Sequence, residues 1–344
     1  MSPHSSRLTI RDIARLAGVS RSTVSLVIND DPRISLETKE KVNRVILEAG
    51  YEPNSMARGL ARRRSDTVAV LLPQTDSHLF ADYYFAEAIS GISAVLSEAG
   101  YRLLIEIVNE SFLTQRQHIK LMRERGVDGM LVLGCTDEDA YVDDLVGTRA
   151  PVVLVNSCVD GAASVVADNR KGAREMVGYL AGLGHRRIAF IGGLEITTVG
   201  KDRSMGFLEG LEEAGLRFDP GLRLWGNFSE ASGAGAARKL LSRDHRPSAL
   251  MAANDMMAIG AVQVAQEEMG VKVPRDLTVV GADGIRLGTY FRPRLTTVSQ
   301  DIYEIGRLAT RTLLGALEEK QLPSGTFVVP TELLVRDSSG PPSC

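Results

Sequence analysis

The chain has 344 residues, a formal net charge of −3 and three cysteines. Its length exceeds what one hydrophobic core usually serves, so we expect two or three domains. The cysteines are odd in number and widely spaced, without a CxxC pair, which argues against a disulfide framework and a zinc site.

Residues 9–29 contain two short helical patterns separated by a tight turn. Thr9 can cap the first helix, and Gly18 ends it where a left-handed residue is needed. Ser20 can cap the second helix, whose apolar face packs back on the first. This spacing is typical of a helix-turn-helix, in which the second helix enters the major groove of DNA. An ordinary helical hairpin of an enzyme is the alternative.

A third amphipathic helix is predicted over residues 35–50, and its apolar face can close a three-helix core. Pro53 then breaks the helical pattern, and Asn54 can cap a further helix over residues 55–62. That helix is short and contains Gly59, so it is marginal in water. We therefore expect it to form only when it is held on DNA.

The charges are divided unevenly along the chain. Residues 1–64 hold twelve Lys/Arg and seven Asp/Glu, a balance of +5, which leaves −8 for the remainder. A basic head on an acidic body fits phosphate binding by the head alone, although a solvated helix surface can carry the same excess.

From Thr67 onward, short apolar runs alternate with helical patterns. Seven runs are predicted to be buried strands: 68–72, 103–105, 129–133, 152–155, 188–191, 249–252 and 277–281. Strand–helix alternation predicts βαβ units and parallel sheets covered by helices. Seven strands over this length favour two doubly wound lobes, with a ligand cleft beyond the carboxyl ends of the strands.

Several motifs follow one another in a specific order. In the head they are Gly18-Val19-Ser20, Thr23-Val24-Ser25, Asn29, Gly50-Tyr51-x-Pro53-Asn54 and Ala57-Arg58-x-Leu60; in the body they include Ala167-Asp168-Asn169, Gly184-His185-Arg186, Asn254-Asp255 and Val280-Gly281-x-Asp283. With these motifs the chain resembles the lactose-repressor (LacI/GalR) family of bacterial transcription regulators. The resemblance implies an all-α helix-turn-helix head and an α/β body of two doubly wound parallel-sheet lobes, similar to periplasmic sugar-binding proteins.

The motifs and the resemblance together predict the domain bounds. We expect a DNA-binding domain at 1–53, a hinge helix and linker at 54–65, an effector-binding and dimerisation domain at 66–338, and a tail at 339–344. Within the body, the first lobe is expected at about 66–166 and 300–328, and the second lobe at about 167–299 and 329–338. The resemblance implies three crossings of the chain between the lobes.

The second helix and the hinge carry the predicted DNA contacts. We expect Arg21 and Ser22 to reach base edges, and Leu60 to wedge between base steps in the minor groove. Leu26 stands where many family members carry an arginine, and a leucine can touch a thymine methyl group but cannot donate a hydrogen bond. The predicted set is Thr9, Ser20, Arg21, Ser22, Thr23, Ser25, Leu26, Asn29, Asn54, Ala57, Arg58 and Leu60.

The predicted effector contacts lie in the body. Arg203 offers a fork of donors for hydroxyl pairs or a carboxylate, unless it forms a surface ion pair. Asp283 can accept from sugar hydroxyls or cap a turn. Asn254 can donate to and accept from a ligand, unless Asn254-Asp255 caps the next helix, and Asp255 is interpreted as that cap and not as a ligand contact. The resemblance adds four positions, of which Phe85 fits core packing equally well. The predicted set is Tyr84, Phe85, Asn156, Arg203, Phe228, Asn254 and Asp283.

The sequence shows no catalytic constellation, and the glycines before Lys201 lack the spacing of a P-loop. We therefore predict a transcription regulator, most simply a repressor, without enzymatic activity, cofactor or metal. It is expected to bind a pseudo-palindromic double-stranded operator as a homodimer, under control of a small-molecule effector such as a sugar or sugar derivative. A purine or nucleoside effector and a solute-binding module without regulatory role are the alternatives. The chain has no apolar run long enough for a membrane helix and no signal-peptide core, so we expect a cytoplasmic protein.

Overall fold

The computed structural model describes residues 8–28, 31–51, 64–74 and 83–343. The chain divides into two compact units, residues 1–65 and residues 66–344. In the described ranges, the first unit is helical and the second alternates strands and helices. None of the helices in these ranges is long and apolar enough to cross a membrane.

The described part of the first unit is a head of three helices. They are α1 (Ile10–Ala17), α2 (Arg21–Ile28) and α3 (Leu36–Glu48). Their buried side chains form one apolar core: Ile13, Ala14, Ala17, Val24, Val27 and Val42. Gly18 ends α1 at φ 62°, a left-handed conformation that glycine adopts without steric cost.

Side-chain caps fix where the helices of the head begin. Thr9 and Asp12 form a capping box, in which the Asp12 carboxylate accepts from the Thr9 amide at 3.0 Å and from its hydroxyl at 2.7 Å. The Ser20 hydroxyl accepts from the Thr23 amide at 3.0 Å, and Ser35 caps α3 in the same way. The predicted starts of these helices are therefore confirmed.

The second unit contains two sheets. Their strands are β1 (Thr67–Pro73), β2 (Arg102–Val108), β3 (Gly129–Leu133), β4 (Val152–Val155), β5 (Ala163–Ala167), β6 (Ile188–Gly192), β7 (Arg223–Trp225), β8 (Ala249–Ala252), β9 (Thr278–Asp283), β10 (Thr296–Ser299), β11 (Thr326–Val329) and β12 (Glu332–Leu334). The first sheet has the order β11-β5-β4-β3-β1-β2 and is parallel. The second has the order β12-β10-β9-β8-β6-β7 and is parallel except for β12.

Helices connect most of the successive strands. They are α4 (Tyr83–Glu98), α5 (Glu110–Thr114), α6 (Gln117–Arg123), α7 (Ala140–Gly147), α8 (Asn169–Gly182), α9 (Thr198–Glu213), α10 (Glu230–Leu241), α11 (Asp255–Gln263), α12 (Leu287–Tyr290) and α13 (Ile302–Glu319). A 3-10 helix spans Pro220–Leu222, and a π-helix spans Val264–Glu268 directly after α11.

The chain passes between the two sheets at three places in the described part. It leaves the first sheet after β5, returns through α13 to β11, and ends its strand content on β12 of the second sheet. Thr331, at the last crossing, donates from its hydroxyl to the carbonyl oxygen of Asp168, at the first crossing, at 3.4 Å. The first and last crossings therefore lie side by side.

All seven predicted strands are present, but the apolar-run criterion does not find β5, β7, β10, β11 and β12. β7 and β12 have three residues each and lie at sheet edges. In β10, Thr296 and Thr297 are fully buried although they are polar. The Thr297 hydroxyl donates to the Asp255 carboxylate at 2.6 Å, and the Thr296 hydroxyl lies 2.8 Å from that of Ser339. Hydrogen bonds therefore allow a strand that an apolar pattern cannot predict.

The C-terminal segment beyond residue 338, which was predicted to be a tail, is hydrogen-bonded to the second lobe. The Gly340 carbonyl accepts from Nε2 of His185 at 2.9 Å, and the Gly340 amide donates to the Thr278 hydroxyl at 3.1 Å. His185 is buried. It therefore ties the C-terminal segment to the second lobe.

Candidate functional site

Helix α2 places its apolar and polar residues on different faces. Val24 and Val27 are buried in the core of the head, whereas Arg21 and Ser22 are exposed. Half-buried positions are Thr23, Ser25 and Leu26. An exposed arginine and serine at the start of a helix can hydrogen-bond to phosphates or base edges.

Some predicted DNA contacts have a second task inside the head. The hydroxyls of Ser20 and Thr23 lie 2.9 Å apart and cap α2, and Thr9 belongs to the capping box of α1. The remaining predicted contacts lie outside the described residues: Asn29, Asn54, Ala57, Arg58 and Leu60.

In the second unit, a buried glutamine connects the two lobes. Gln300 directly follows β10, and its Oε1 accepts from Nδ2 of Asn156 at 2.7 Å. Its Nε2 donates to Oδ1 of Asp283 at 2.6 Å. Asn156 follows β4 of the first sheet and Asp283 ends β9 of the second, and all three side chains are buried. We call Asn156, Gln300 and Asp283 the Gln300 bridge.

The first-lobe end of the bridge is fixed by further contacts. Oδ1 of Asn156 accepts from the Ala167 amide at 2.8 Å, and its Nδ2 also donates to the Tyr84 hydroxyl at 2.9 Å. Tyr84 lies in the first turn of α4 and is half-buried. A phenol therefore lies directly beside the bridge, as an amphipathic group that can contact both apolar and polar parts of a ligand.

The second-lobe end of the bridge belongs to a buried ion pair. Nη2 of Arg203 lies 2.9 Å from Oδ1 of Asp283, with side chains 4% and 8% exposed. Nε of Arg203 donates to Oδ1 of Asn169 at 2.8 Å, and its Nη1 donates to the Ala253 carbonyl. The surface location that the sequence leaves open for Arg203 is therefore wrong.

A glycine allows the helices that carry Arg203 and Asn169 to approach each other. A Cβ on Gly206 of α9 would overlap the carbonyl oxygen of Arg170 in α8. Because glycine has no Cβ, α9 packs directly on the first turn of α8. Arg203 lies one turn before Gly206, which places its guanidinium beside Asn169.

Asn254 and Phe228 are held together at the carboxyl end of the second sheet. Oδ1 of Asn254 caps α11 by accepting from the Met257 amide at 2.9 Å, and its Nδ2 donates to the Phe228 carbonyl at 2.9 Å. The Phe228 ring packs on Gly193, where a Cβ would overlap it. Asn254 is thus the helix cap, a role that the sequence leaves open for it, whereas the cap role predicted for Asp255 is wrong.

Phe85 differs from the other predicted effector contacts. Its ring is buried in the apolar core and packs edge-on against Tyr84, with ring centroids 5.4 Å apart. This position favours the packing role that the sequence leaves open.

Other contacts between the lobes lie outside the bridge. Lys201 of α9 pairs with Asp137 of the first lobe, whose amide donates to the Ile196 carbonyl at 3.0 Å. The Cys158 amide donates to the Thr198 hydroxyl at 3.1 Å. These contacts hold the loops after β3 and β4 against the start of α9.

The same arrangement of head and lobes occurs in known proteins. Residues 9–54 match the family described as bacterial regulatory proteins, lacI family, and residues 177–339 match the periplasmic binding protein-like domain. Catabolite control protein A of Priestia megaterium is 32% identical over 335 residues, covering 96% of this chain and 99% of that protein. The chain belongs to the LacI family.

Two solved structures of LacI-family regulators extend the comparison to the fold. A complex of the transcriptional regulator CelR with cellobiose is 33% identical, with a TM-score of 0.75 over 96% of this chain and 100% of that one. The lac repressor dimer bound to operator and the anti-inducer ONPF is 27% identical, with a TM-score of 0.84 over 97% and 99%. The present LacI-family protein is therefore a DNA-binding transcriptional regulator of the repressor type, and not an enzyme.

The structure of this LacI-family regulator adds residues that sequence reasoning misses. Gln300 and Asn169 contact the predicted effector residues directly, yet neither is in the predicted set. Gln300 is the first residue after β10, a strand that was not predicted, and Asn169 is the second residue after β5. A rule that examines the first polar residue after each strand would have identified Gln300, had β10 been predicted, but after β5 it would have selected Asp168.

Proposed function

We propose that the small-molecule effector of this repressor binds between the lobes, at the Gln300 bridge. The observation that carries the proposal is the buried path from Asn156 through Gln300 to Asp283, since it joins the two lobes through groups that a ligand can replace. Arg203, Tyr84 and Phe228 would complete the contacts. Exchange of protein–protein for protein–ligand hydrogen bonds would then link effector binding to the relative position of the lobes.

The chemistry of these groups favours a neutral ligand rich in hydroxyl groups. The guanidinium of Arg203 is already balanced by the Asp283 carboxylate, and Asn156 and Gln300 are neutral amides. A phosphate group would have to compete with Asp283 for Arg203, whereas hydroxyls can donate to the carboxylate and accept from the guanidinium together. A sugar fits this pattern, in line with the cellobiose bound to CelR.

The proposal is tested by a thermal-shift panel on the full-length protein, with cellobiose, other sugars, sugar phosphates, nucleosides and purines as probes. A specific binder stabilises the fold by about 2.7 kcal/mol at a hundredfold excess over its Kd. We expect a sugar to do so, and Asp283→Asn to weaken its binding at least about tenfold. Asp276→Asn is the matched control, because Asp276 is exposed and paired with exposed Arg275. Unchanged binding by the Asp283 variant would remove the bridge from the site.

We further propose that α2 reads the operator and that two copies of the chain bind its two half-sites. The exposed Arg21 and Ser22 support this role, and a single helix-turn-helix reaches only a few base pairs. Bacterial operator DNA lies in the cytoplasm, so we place the protein there. The solute-binding alternative predicts no specific DNA binding at all.

DNA selection from a random duplex library, followed by gel shift, tests this second proposal. Arg21→Ala should weaken binding to the selected duplex by about 1–3 kcal/mol and relax specificity at one base pair of each half-site. Arg44→Ala, an exposed arginine on α3, is the charge-matched control. Equal losses in the two variants, without a change in specificity, would show that Arg21 contributes only charge.

A further inference from the structure

The carboxyl group of Asp255 is completely buried in the second lobe, although Asn254 already caps α11. The Thr297 hydroxyl donates to its Oδ1 at 2.6 Å, and the Ile285 amide donates to its Oδ2 at 2.9 Å. A Cβ on Gly281 would overlap Oδ1, so the carboxyl group lies directly on β9. Asp255 therefore contacts β9, β10 and the turn that follows β9.

That turn carries a backbone conformation that few residues adopt. Asp283 has φ 122°, in the region that favours glycine, and Gly284 follows with φ 76°. A non-glycine residue stays in such a conformation only when the surroundings hold it there. Asp255 holds the Ile285 amide directly, and Thr297, its own partner, accepts from the Gly284 amide at 3.2 Å.

We propose that Asp255 is a positioning residue, which holds the strained turn Asp283–Ile285 so that the Asp283 carboxylate faces Arg203 and Gln300. The inference rests on the proposed function, in which Asp283 and Arg203 bind the effector. Asp255 itself has no place in the ligand contacts, because its carboxyl group is fully enclosed.

The charge state of Asp255 distinguishes positioning from simple packing. Burial first, and then the Asp283 carboxylate, raise the pKa of Asp255 to about 8, while the hydrogen bonds from Thr297 and Ile285 and then the charge of Arg203 on α9 act in the opposite direction. At neutral pH the carboxyl group is protonated, and the 2.6 Å contact persists because the Thr297 hydroxyl can accept as well as donate.

Ionisation of Asp255 has a predictable effect on the neighbouring ion pair of Arg203 with Asp283. As the pH rises through about 8, a second negative charge appears beside Asp283 and competes for Arg203. Because the pKa is raised in the folded state, the stability that Asp255 contributes is present at low pH and is lost as the pH rises towards 8. The ion pair of Arg203 with Asp283 should loosen over the upper part of the same pH range.

The test follows the Arg203 Nε–Hε resonance by NMR in full-length, 15N-arginine-labelled protein between pH 6 and 9.5, without effector. Its assignment comes from the resonance lost in Arg203→Met. We expect a shift with a midpoint near 8 in the wild type and no such shift in Asp255→Asn, which mimics the protonated group. Asp255→Leu, similar in size but unable to hydrogen-bond, should move the resonance at every pH.

The proposal is overturned if the Arg203 resonance does not shift with pH in the wild type and has the same position in Asp255→Leu as in the wild type. If Asp255→Leu fails to fold, the comparison of the wild type with Asp255→Asn still decides, because asparagine keeps the size and the hydrogen-bonding capacity of the protonated carboxyl group but cannot ionise. No effector is used, so failure here is distinct from failure of the binding proposal, which the Asp283 variant tests.

Discussion

Replacement of Arg203 by methionine should destabilise the second unit strongly. The substitution leaves the Asp283 carboxylate buried without its counter-ion, and it removes the donors to Asn169 and Ala253. Loss of one partner from a buried pair costs about 3–5 kcal/mol, because the remaining charge is neither solvated nor paired. The two orphaned acceptors add less than their separate penalties of about 1–3 kcal/mol, since the Asn169 amide can rotate. We therefore expect a loss of about 4–7 kcal/mol.

The double variant Arg203→Met, Asp283→Leu separates the buried charge from lost packing. It removes both ions but still leaves the Asn169 and Ala253 oxygens without their donor, and it leaves the Gln300 amide without its acceptor, so we expect a loss of about 2–4 kcal/mol. The double variant should thus be more stable than the single one. Arg294→Met is the control, because its ion pair with Asp337 is exposed and should be worth less than about 1 kcal/mol.

Urea unfolding of the full-length protein measures these differences. The chain has one tryptophan, Trp225, which ends β7 in the second sheet and reports on that unit. Far-UV circular dichroism follows the same transition independently. A loss below about 1 kcal/mol in Arg203→Met would refute the reasoning, because it would place Arg203 in a solvated site. A double variant no more stable than the single one would refute it as well.

Three further predictions follow from the cleft and its surroundings. Gly193→Ala should displace the Phe228 ring and lower the affinity for the sugar found in the thermal-shift panel, as measured by Trp225 fluorescence. Gly235→Ala is the control, because its added methyl group meets open space and should leave the affinity unchanged. Lys201→Met breaks the exposed pair with Asp137, but the Cys158–Thr198 contact and the Gln300 bridge still join the lobes. The substitution should therefore change stability by less than about 1 kcal/mol and leave the radius of gyration measured by X-ray scattering unchanged. Burial lowers the pKa of His185, so its stabilising effect should be present near neutral pH and be lost as the pH falls below about 6.5; His185→Gln should flatten that dependence in urea unfolding.

The head was largely predictable from sequence because its determinants are local. Capping residues, the left-handed Gly18 and apolar positions at helical spacing all act within a few residues of one another. The seven strands that contain a continuous apolar run were predictable for the same reason. Strand β10 was not, because its buried threonines are satisfied by Asp255 and Ser339, which lie about forty residues away in the sequence.

The candidate site was likewise predictable only where its residues lie in local sequence motifs. Asn156, Arg203 and Asp283 could be proposed from motifs, but the sequence does not reveal that Gln300 joins them. The role of Asp255 was misassigned because two adjacent residues, Asn254 and Asp255, are both suitable helix caps. In the structure Asn254 caps the helix and Asp255 turns inward, where Gly281 leaves room for its carboxyl group.

The Gln300 bridge also constrains how an effector acts. An effector that replaces Gln300 in its contacts with Asn156 and Asp283, as proposed, must break at least one hydrogen bond of the bridge. It then either moves the lobes apart or re-forms the bridge through its own hydroxyls. Because Gln300 begins the second crossing, each change at the bridge also acts on α13 and β11. A coupling free energy of about 1–3 kcal/mol between effector binding and operator binding equals the net contribution of only one or two such hydrogen bonds. The exchange of hydrogen bonds at the bridge is therefore large enough to supply this coupling.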